Sequence, residues 1–270
     1  MTRHQPLTVI VPTGNRIDVI ENCLRSVRWA DELLVVDSFS TDGSYELAKQ
    51  YADRVLRHEY INSANQKNWA IPQATHDWVL IVDTDERVSP DLRGEIEAIL
   101  SQSENDIQTG YRIPRLNYLW GNPVYHGGYY PDYQTRLFKR DCARYETRQV
   151  HAHILLNGSY GTLQSPIIHF AHRSINQALS NLLLQMTTWE AEHRIDQAHE
   201  ADHIPTRHLL FNLVLRPIAA FWLRFVRQQA FRDGYRGLIV SLIWAMYVSI
   251  TYMKVWEQEL QLPAEWWHGE

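Results

Sequence analysis

The chain has 270 residues, long for one small domain and short for two full ones. Hydrophobic residues make up 45% and charged residues 21%, so a core can be buried and a broadly disordered chain is excluded. A net charge of −5 argues against a general nucleic-acid binder, and two cysteines cannot build a disulfide framework.

Leu7 to Val11 is a β-rich run ended by Pro12 and Gly14. Ile17, Ile20, Leu24 and Val27 then recur at helical spacing. Leu33 to Val36 is a second strand of buried type. A helix follows over Ser44 to Ala52, with Asp42 a candidate cap. Arg54 to Arg57 alternates as a third strand, and Ala64 to Ala70 is a short helix closed by Pro72. Trp78 to Val82 is an apolar fourth strand. Pro90 to Leu100 is a helix with Ser89 as its cap and Pro90 at its first position. Apolar strands separated by helices predict an α/β fold, a mostly parallel sheet covered on both faces. Strand-like runs continue at Tyr111–Ile113, Thr135–Phe138 and His153–Leu156, and from Ser174 the chain reads as helical. Within the tail, Asp233 to Gly237 marks a break between two helices.

Ligands of such sheets bind beyond the carboxyl ends of the strands. Those ends hold Pro12-Thr13-Gly14-Asn15-Arg16, Asp37 to Gly43, and Asp83-Thr84-Asp85-Glu86. Neither GxGxxG nor GxxxxGK[ST] occurs, which argues against a nicotinamide enzyme and a P-loop ATPase. Two carboxylates one residue apart, Asp83 and Asp85, can face one hard cation that also touches phosphate. The bland alternative is a solvated turn. Asp37 can accept from a base N–H or a ribose hydroxyl, whereas Asp42 suits an Asx turn. Lys67 is either a cation near a diphosphate or a solvated helix lysine.

Three stretches in order resemble the motifs of family 2 glycosyltransferases with the GT-A fold. They are Leu7 to Pro12, Val35 to Ser44, and Leu80 to Val88. The closer resemblance is to the branch of bacterial lipopolysaccharide-core β-glucosyltransferases, carried by Ala30 to Ser44, Asp83 to Val88 and Tyr130 to Arg140. It covers residues 6 to 172 well and the tail loosely. It implies inverting transfer of a sugar from a nucleotide-diphosphate sugar, a UDP-hexose being expected, assisted by Mn2+ or Mg2+. It also implies that Pro12, Thr13, Asn15, Arg16, Asp37, Lys67, Asp83 and Thr84 line the nucleotide-sugar site. Asp85 would hold the metal and Asp132 would be the general base. Arg136 pairs with Asp132 or touches the diphosphate, unless it is a solvated strand arginine. His151 would contact diphosphate or metal. One departure stands out: Ala152 occupies the place of a glutamate common in this branch. His151, His153, His169 and His172 do not match a standard zinc spacing.

Six tyrosines and Trp120 fall between 111 and 133, and sugar C–H faces pack on aromatic rings. Trp120, Tyr129 and Tyr130 are therefore candidate acceptor residues, against the alternative of a structural aromatic cluster. Residues 204 to 254 carry seven basic side chains and one acid, Asp233, interleaved with large apolar ones. That pattern predicts contact with an anionic membrane surface; the alternatives are packing on the catalytic domain or in a homo-oligomer, and a membrane span at Gly237 to Met253. No apolar run of signal-peptide length precedes the first strand, so export is not expected. The expected organisation is a catalytic domain over 1–173, its nucleotide-sugar half 1–100 and acceptor half 101–173, with a helical extension over 174–270. The expected protein is a cytoplasmic enzyme, peripheral at the inner membrane face, that modifies a cell-envelope glycolipid or polysaccharide. The other readings are a nucleotidyltransferase and a membrane-docked scaffold whose site is degenerate at Ala152.

Overall fold

The computed structural model describes residues 5–146, 153–200, 208 and 210–260. The chain divides into two compact units. One is Met1–Tyr118 with Pro131–Ala171, and the other is Leu119–Tyr130 with His172–Glu270. The aromatic loop 119–130 thus belongs with the helical tail.

In the first unit, strands and helices alternate as the apolar pattern predicts. They run β1 (Leu7–Thr13), α1 (Ile20–Val27), β2 (Glu32–Asp37), α2 (Ser44–Tyr51), β3 (Arg54–Arg57), α3 (Ser63–Ala70), β4 (Trp78–Ile81), β5 (Glu86–Val88) and α4 (Pro90–Leu100). Every residue of β1, β2 and β4 is buried, as expected of strands covered on both faces. Ser89 caps α4 by accepting from Leu92 N at 3.2 Å, with Pro90 in the first turn. Asp42 is not the cap of α2. Gly43 takes that position at φ 93°, where an L side chain is strained, and Asp42 Oδ1 accepts from Ser44 N at 3.0 Å as an Asx turn.

Beyond α4 lie β6 (Gly110–Leu119), β7 (Asn122–Pro123), β8 (Asp132–Lys139), β9 (Ala143–Tyr145), β10 (Ile154–Leu156), β11 (Tyr160–Thr162) and β12 (Ile167–His172). The main sheet runs β3-β2-β1-β4-β8-β6-β12-β5. Its β3-β2-β1-β4 half is parallel, and β8 adds to β4 antiparallel. Register aligns the carboxyl ends: Thr13 pairs with Asp37, and Val82 N donates to Ile10 O at 3.0 Å. The loops after β1, β2 and β4 therefore emerge at one edge.

The second unit is helical, as expected. It contains α5 (Ile175–Leu179), α6 (Thr187–Glu200), α7 (Arg216–Trp222) and α8 (Tyr235–Glu259). Leu183, Ile243 and Tyr247 form its core, with Trp120 packed against them. A 3-10 turn over Ala230–Asp233 realises the expected break, and Gly237 permits it. A Cβ on Gly237 would lie 1.7 Å from Ala230 O. Among the described residues one helix, Tyr235–Gln258, is long and apolar enough to cross a membrane. Leu210, Ile218 and Trp222 stay 78%, 60% and 58% exposed.

Candidate active site

The loop after β1 is stitched to the loop after β2. Asn15 N donates to Ser40 Oγ at 2.8 Å, Asn15 Oδ1 accepts from Thr41 N at 2.8 Å, and Arg16 N donates to Ser44 Oγ at 2.8 Å. Asn15 and Phe39 sit at φ 51° and 54°, a left-handed conformation that asparagine tolerates and phenylalanine adopts only under constraint. Gln66 of α3 braces both strand ends by donating to Ser38 Oγ at 2.7 Å and Val36 O at 3.2 Å.

These loops wall a crevice of about 520 Å³. It brings together Pro12, Thr13, Asn15, Arg16, Asp83, Thr84 and Asp85, seven of the residues the sequence pointed to. Asp37 is fully buried at the end of β2. Its Oδ2 accepts from Ser40 N at 3.0 Å, and its Oδ1 has no partner among the described residues. Thr13 Oγ1 is likewise buried without a partner. Unmatched buried polar atoms are uncommon in folded chains and here leave donors and acceptors for a ligand.

The two carboxylates of the Asp-Thr-Asp triplet are held differently. Asp83 lies between Lys67 Nζ at 2.8 Å and Arg136 Nη2 at 2.7 Å. Burial raises its pKa, but Arg136 and then Lys67 more than offset that and hold it well below the ordinary carboxylate value. Lys67 and Arg136 are buried, so neither is a solvated cation. Arg136 also reaches Glu86 Oε1 at 2.6 Å, and Asp132 is paired with Arg115 instead. Asp85 is half-buried, with Arg16 Nη2 at 3.2 Å from Oδ2 and His169 Nε2 at 3.8 Å from Oδ1.

Asn117 connects this carboxylate region to Asp132. Its Oδ1 faces His169 Nδ1 at 2.7 Å, so His169 carries its proton on Nδ1 and turns the Nε2 lone pair toward Asp85. Burial lowers the His169 pKa and favours this neutral form. The Asn117 side chain also hydrogen-bonds Asp132. Arg115 donates to Asp132 Oδ2 from Nε and Nη2 at 2.8 and 2.6 Å, and Gln134 donates to Oδ1 at 2.7 Å. Burial raises the Asp132 pKa, but Arg115 and these hydrogen bonds outweigh it and keep it lowered.

The model of the glycosyl transferase family 2 matches residues 8–154. The chain belongs to this family. The glycosyltransferase is 26% identical to a lipopolysaccharide core biosynthesis glycosyltransferase, LpsC, of Rhizobium meliloti, over 94% of this chain and 93% of that one. It is 25% identical to an uncharacterized glycosyltransferase of Rickettsia felis over 95% and 92% of the two chains. Its fold is that of GT-A glycosyltransferases. A mannosyltransferase from Pyrobaculum calidifontis, solved with GDP-Man and Mn2+, superposes with a TM-score of 0.52 at 16% identity. That match covers 95% of this chain and 89% of the other. Staphylococcus aureus TarS 1–349 with UDP-GlcNAc gives 0.50 at 15% identity, covering 95% and 92%.

Sequence reasoning missed four groups in this glycosyltransferase. Glu86 is fully buried and accepts from Asp83 N at 3.0 Å. A charge directly behind an apolar strand signals a buried pair. Arg115 and Asn117 stand at i and i+2 in β6, on one face, which marks a polar strand face. His169, whose spacing in the sequence matches no zinc site, faces Asp85. Of the acceptor candidates, Trp120 packs in the second unit's core, Tyr129 lies by Arg224, and Tyr130 stacks edge-on against Tyr125. His151 and Ala152 lie outside the described residues.

Proposed function

We propose that this glycosyltransferase works with inversion. It would move a hexose from a UDP-sugar to a cell-envelope glycolipid or polysaccharide of lipopolysaccharide-core type. The role of the Rhizobium relative in lipopolysaccharide core biosynthesis supports that acceptor class. The observation that carries the donor reading is the crevice itself, which Arg16, Asp83 and Asp85 line together with Thr13, whose Oγ1 has no partner among the described residues. Asp37 would accept from the base or ribose, and Arg16 would lie near the leaving diphosphate.

Asp85 and His169 suit a divalent cation. A carboxylate oxygen and an imidazole lone pair together fit Mn2+, and the oxygen alone fits Mg2+. Among the described residues no cluster of three or more His, Cys, Asp or Glu could hold a metal by itself. The pair would thus share the ion with the donor's diphosphate. When bound, that ion neutralises charge on the leaving group. Asp132 takes the proton of the acceptor hydroxyl as its oxygen bonds to the anomeric carbon. The carbon–diphosphate bond breaks on the opposite face, and the nucleoside diphosphate leaves with the electron pair. The lowered pKa keeps Asp132 in the ionised, proton-accepting form at neutral pH.

Phe211, Leu215, Ile218 and Trp222 recur at helical spacing and are exposed, and Arg227, Arg232 and Arg236 follow them. This face supports peripheral docking on the anionic cytoplasmic leaflet. It equally fits a second copy of the chain. Release of UDP from a panel of UDP- and GDP-sugars with Mn2+ tests the reading. Asp85→Ala should cost on the order of a thousandfold in turnover and remove metal-dependent nucleotide binding. Asp132→Asn should bind donor normally and lose turnover. Full activity in either variant removes that residue's assigned role.

A further inference from the structure

Within the first unit a second cavity of about 500 Å³ shares Ser63 and Asp83 with the donor crevice. Lys67, Arg112, Arg115, Arg136 and Tyr145 line it. Its wall is rich in donors and poor in acceptors. Arg136 Nε and Tyr145 Oη are buried and have no hydrogen-bond partner among the described residues. Lys67 Nζ has three N–H groups and, among the described residues, one acceptor, Asp83 Oδ1. The Arg112 guanidinium lies 4.7 Å over the Tyr160 ring and pairs with no carboxylate among the described residues.

The carboxylates nearby are already engaged. Asp83 holds Lys67 and Arg136, Glu86 holds Arg136, and Asp132 holds Arg115. Four cations thus face three carboxylates, and Arg112 is the one left over. Two orphaned donors and one uncompensated guanidinium around a single cavity call for a ligand built of acceptor atoms with negative charge. Phosphate and carboxylate are that chemistry. The cavity also adjoins Asp132, because both Arg115 and Gln134, which bond it, are in the lining.

We infer that this cavity seats a phosphate or carboxylate group borne by the sugar acceptor, so that the enzyme's acceptor class is an anionic sugar. The inference rests on the reading of Asp132 as the base and of the Asp85 crevice as the donor site. The other source of the same chemistry is the donor's own diphosphate, and the test separates the two.

Inorganic phosphate is titrated calorimetrically into the full chain, alone and with saturating UDP and Mg2+. Phosphate is expected to bind in both conditions. Arg112→Gln, at an exposed position, and Tyr145→Phe, which keeps the ring, should each weaken phosphate about tenfold while UDP affinity stays within about twofold. Phosphate displaced by UDP, or Arg112→Gln weakening UDP instead, assigns the anion to the donor and overturns the inference. Absence of phosphate binding in the unmutated chain overturns it as well. A chain that binds phosphate but neither UDP nor GDP contradicts the donor reading and leaves the anion site standing.

Discussion

In the first unit Leu7, Val9, Leu34, Val35 and Leu80 are fully buried, whereas in the second Leu210, Leu215, Ile218 and Trp222 are mostly exposed. Charge differs in the same way. At the strand ends of the first unit each carboxylate of the site has a cation or a hydrogen-bond donor against it. In the tail the cations outnumber the acids, and part of that excess is used internally. Arg224 lies 3.9 Å over Trp244, Arg216 donates to Tyr252 Oη at 2.8 Å, and Lys254 donates to Leu184 O at 2.7 Å. Asp233, the acid of the stretch, is taken by His126 at 2.9 Å. Among the described residues of the tail, Arg227, Arg232 and Arg236 pair with no carboxylate and are left for an external anion. The first unit therefore buries its apolar strands and sets a partner against each carboxylate of its site, and the second leaves an apolar, basic face toward whatever it meets.

Matched truncations break this comparison most strongly. Leu34→Ala empties a core position in the first unit and should cost about 3 kcal/mol, read as a lower midpoint in urea. Leu215→Ala on the exposed tail face should stay within about 0.5 kcal/mol. Equal losses would mean that the tail face is covered in solution.

Gly237 tests whether the second unit has rigid points of its own. Its α carbon passes so close to the Ala230 carbonyl that any Cβ overlaps it. Gly237→Ala should therefore destabilise by about 2 kcal/mol, although alanine favours helices in general. A neutral or stabilising result would show that the turn before α8 shifts freely.

Much of the first unit was legible because its strands are continuous β-branched runs with Pro, Gly or Asp at their ends. Leu7–Val11, Leu33–Val36 and Trp78–Val82 need no tertiary information to be read. Glu86–Val88, Tyr160–Thr162 and Ile167–His172 did not announce themselves. Two are three-residue segments, and in both glycine or charge breaks any pattern, so only pairing to a neighbour makes them strands. In the site, the residues at strand ends were readable from position alone. Their partners were not. Which arginine meets Asp132 depends on the antiparallel register that sets Arg115 opposite it, and 17 residues of sequence separate the two.

Arg115 supplies a sharper probe of how the first unit satisfies its carboxylates. Asp132 is held below the ordinary carboxylate value, so its base form is complete at neutral pH and is lost as pH falls through the lowered pKa. Arg115→Gln removes the opposing charge and leaves the burial, which acts to raise the pKa. The acid limb of kcat/KM should therefore move to higher pH. The stability that Asp132 contributes above its unfolded pKa should fall in the same variant. An unmoved limb would mean that another group sets it.

The smallest effect on the fold should come from the tail face, and it bears on what that face is for. Ile218→Ser with Trp222→Ser removes two exposed apolar groups on one helical face, so folding should change by less than about 1 kcal/mol. Binding is another matter. On vesicles containing anionic lipid, each buried apolar side chain contributes in proportion to its area and each nearby arginine about 1 kcal/mol. The double variant should therefore lose sedimentation with anionic vesicles roughly tenfold or more, and Arg227→Gln with Arg236→Gln should make binding less sensitive to salt. If both variants still sediment normally but their sedimentation coefficient in free solution drops, the face joins two copies of the chain instead of meeting lipid.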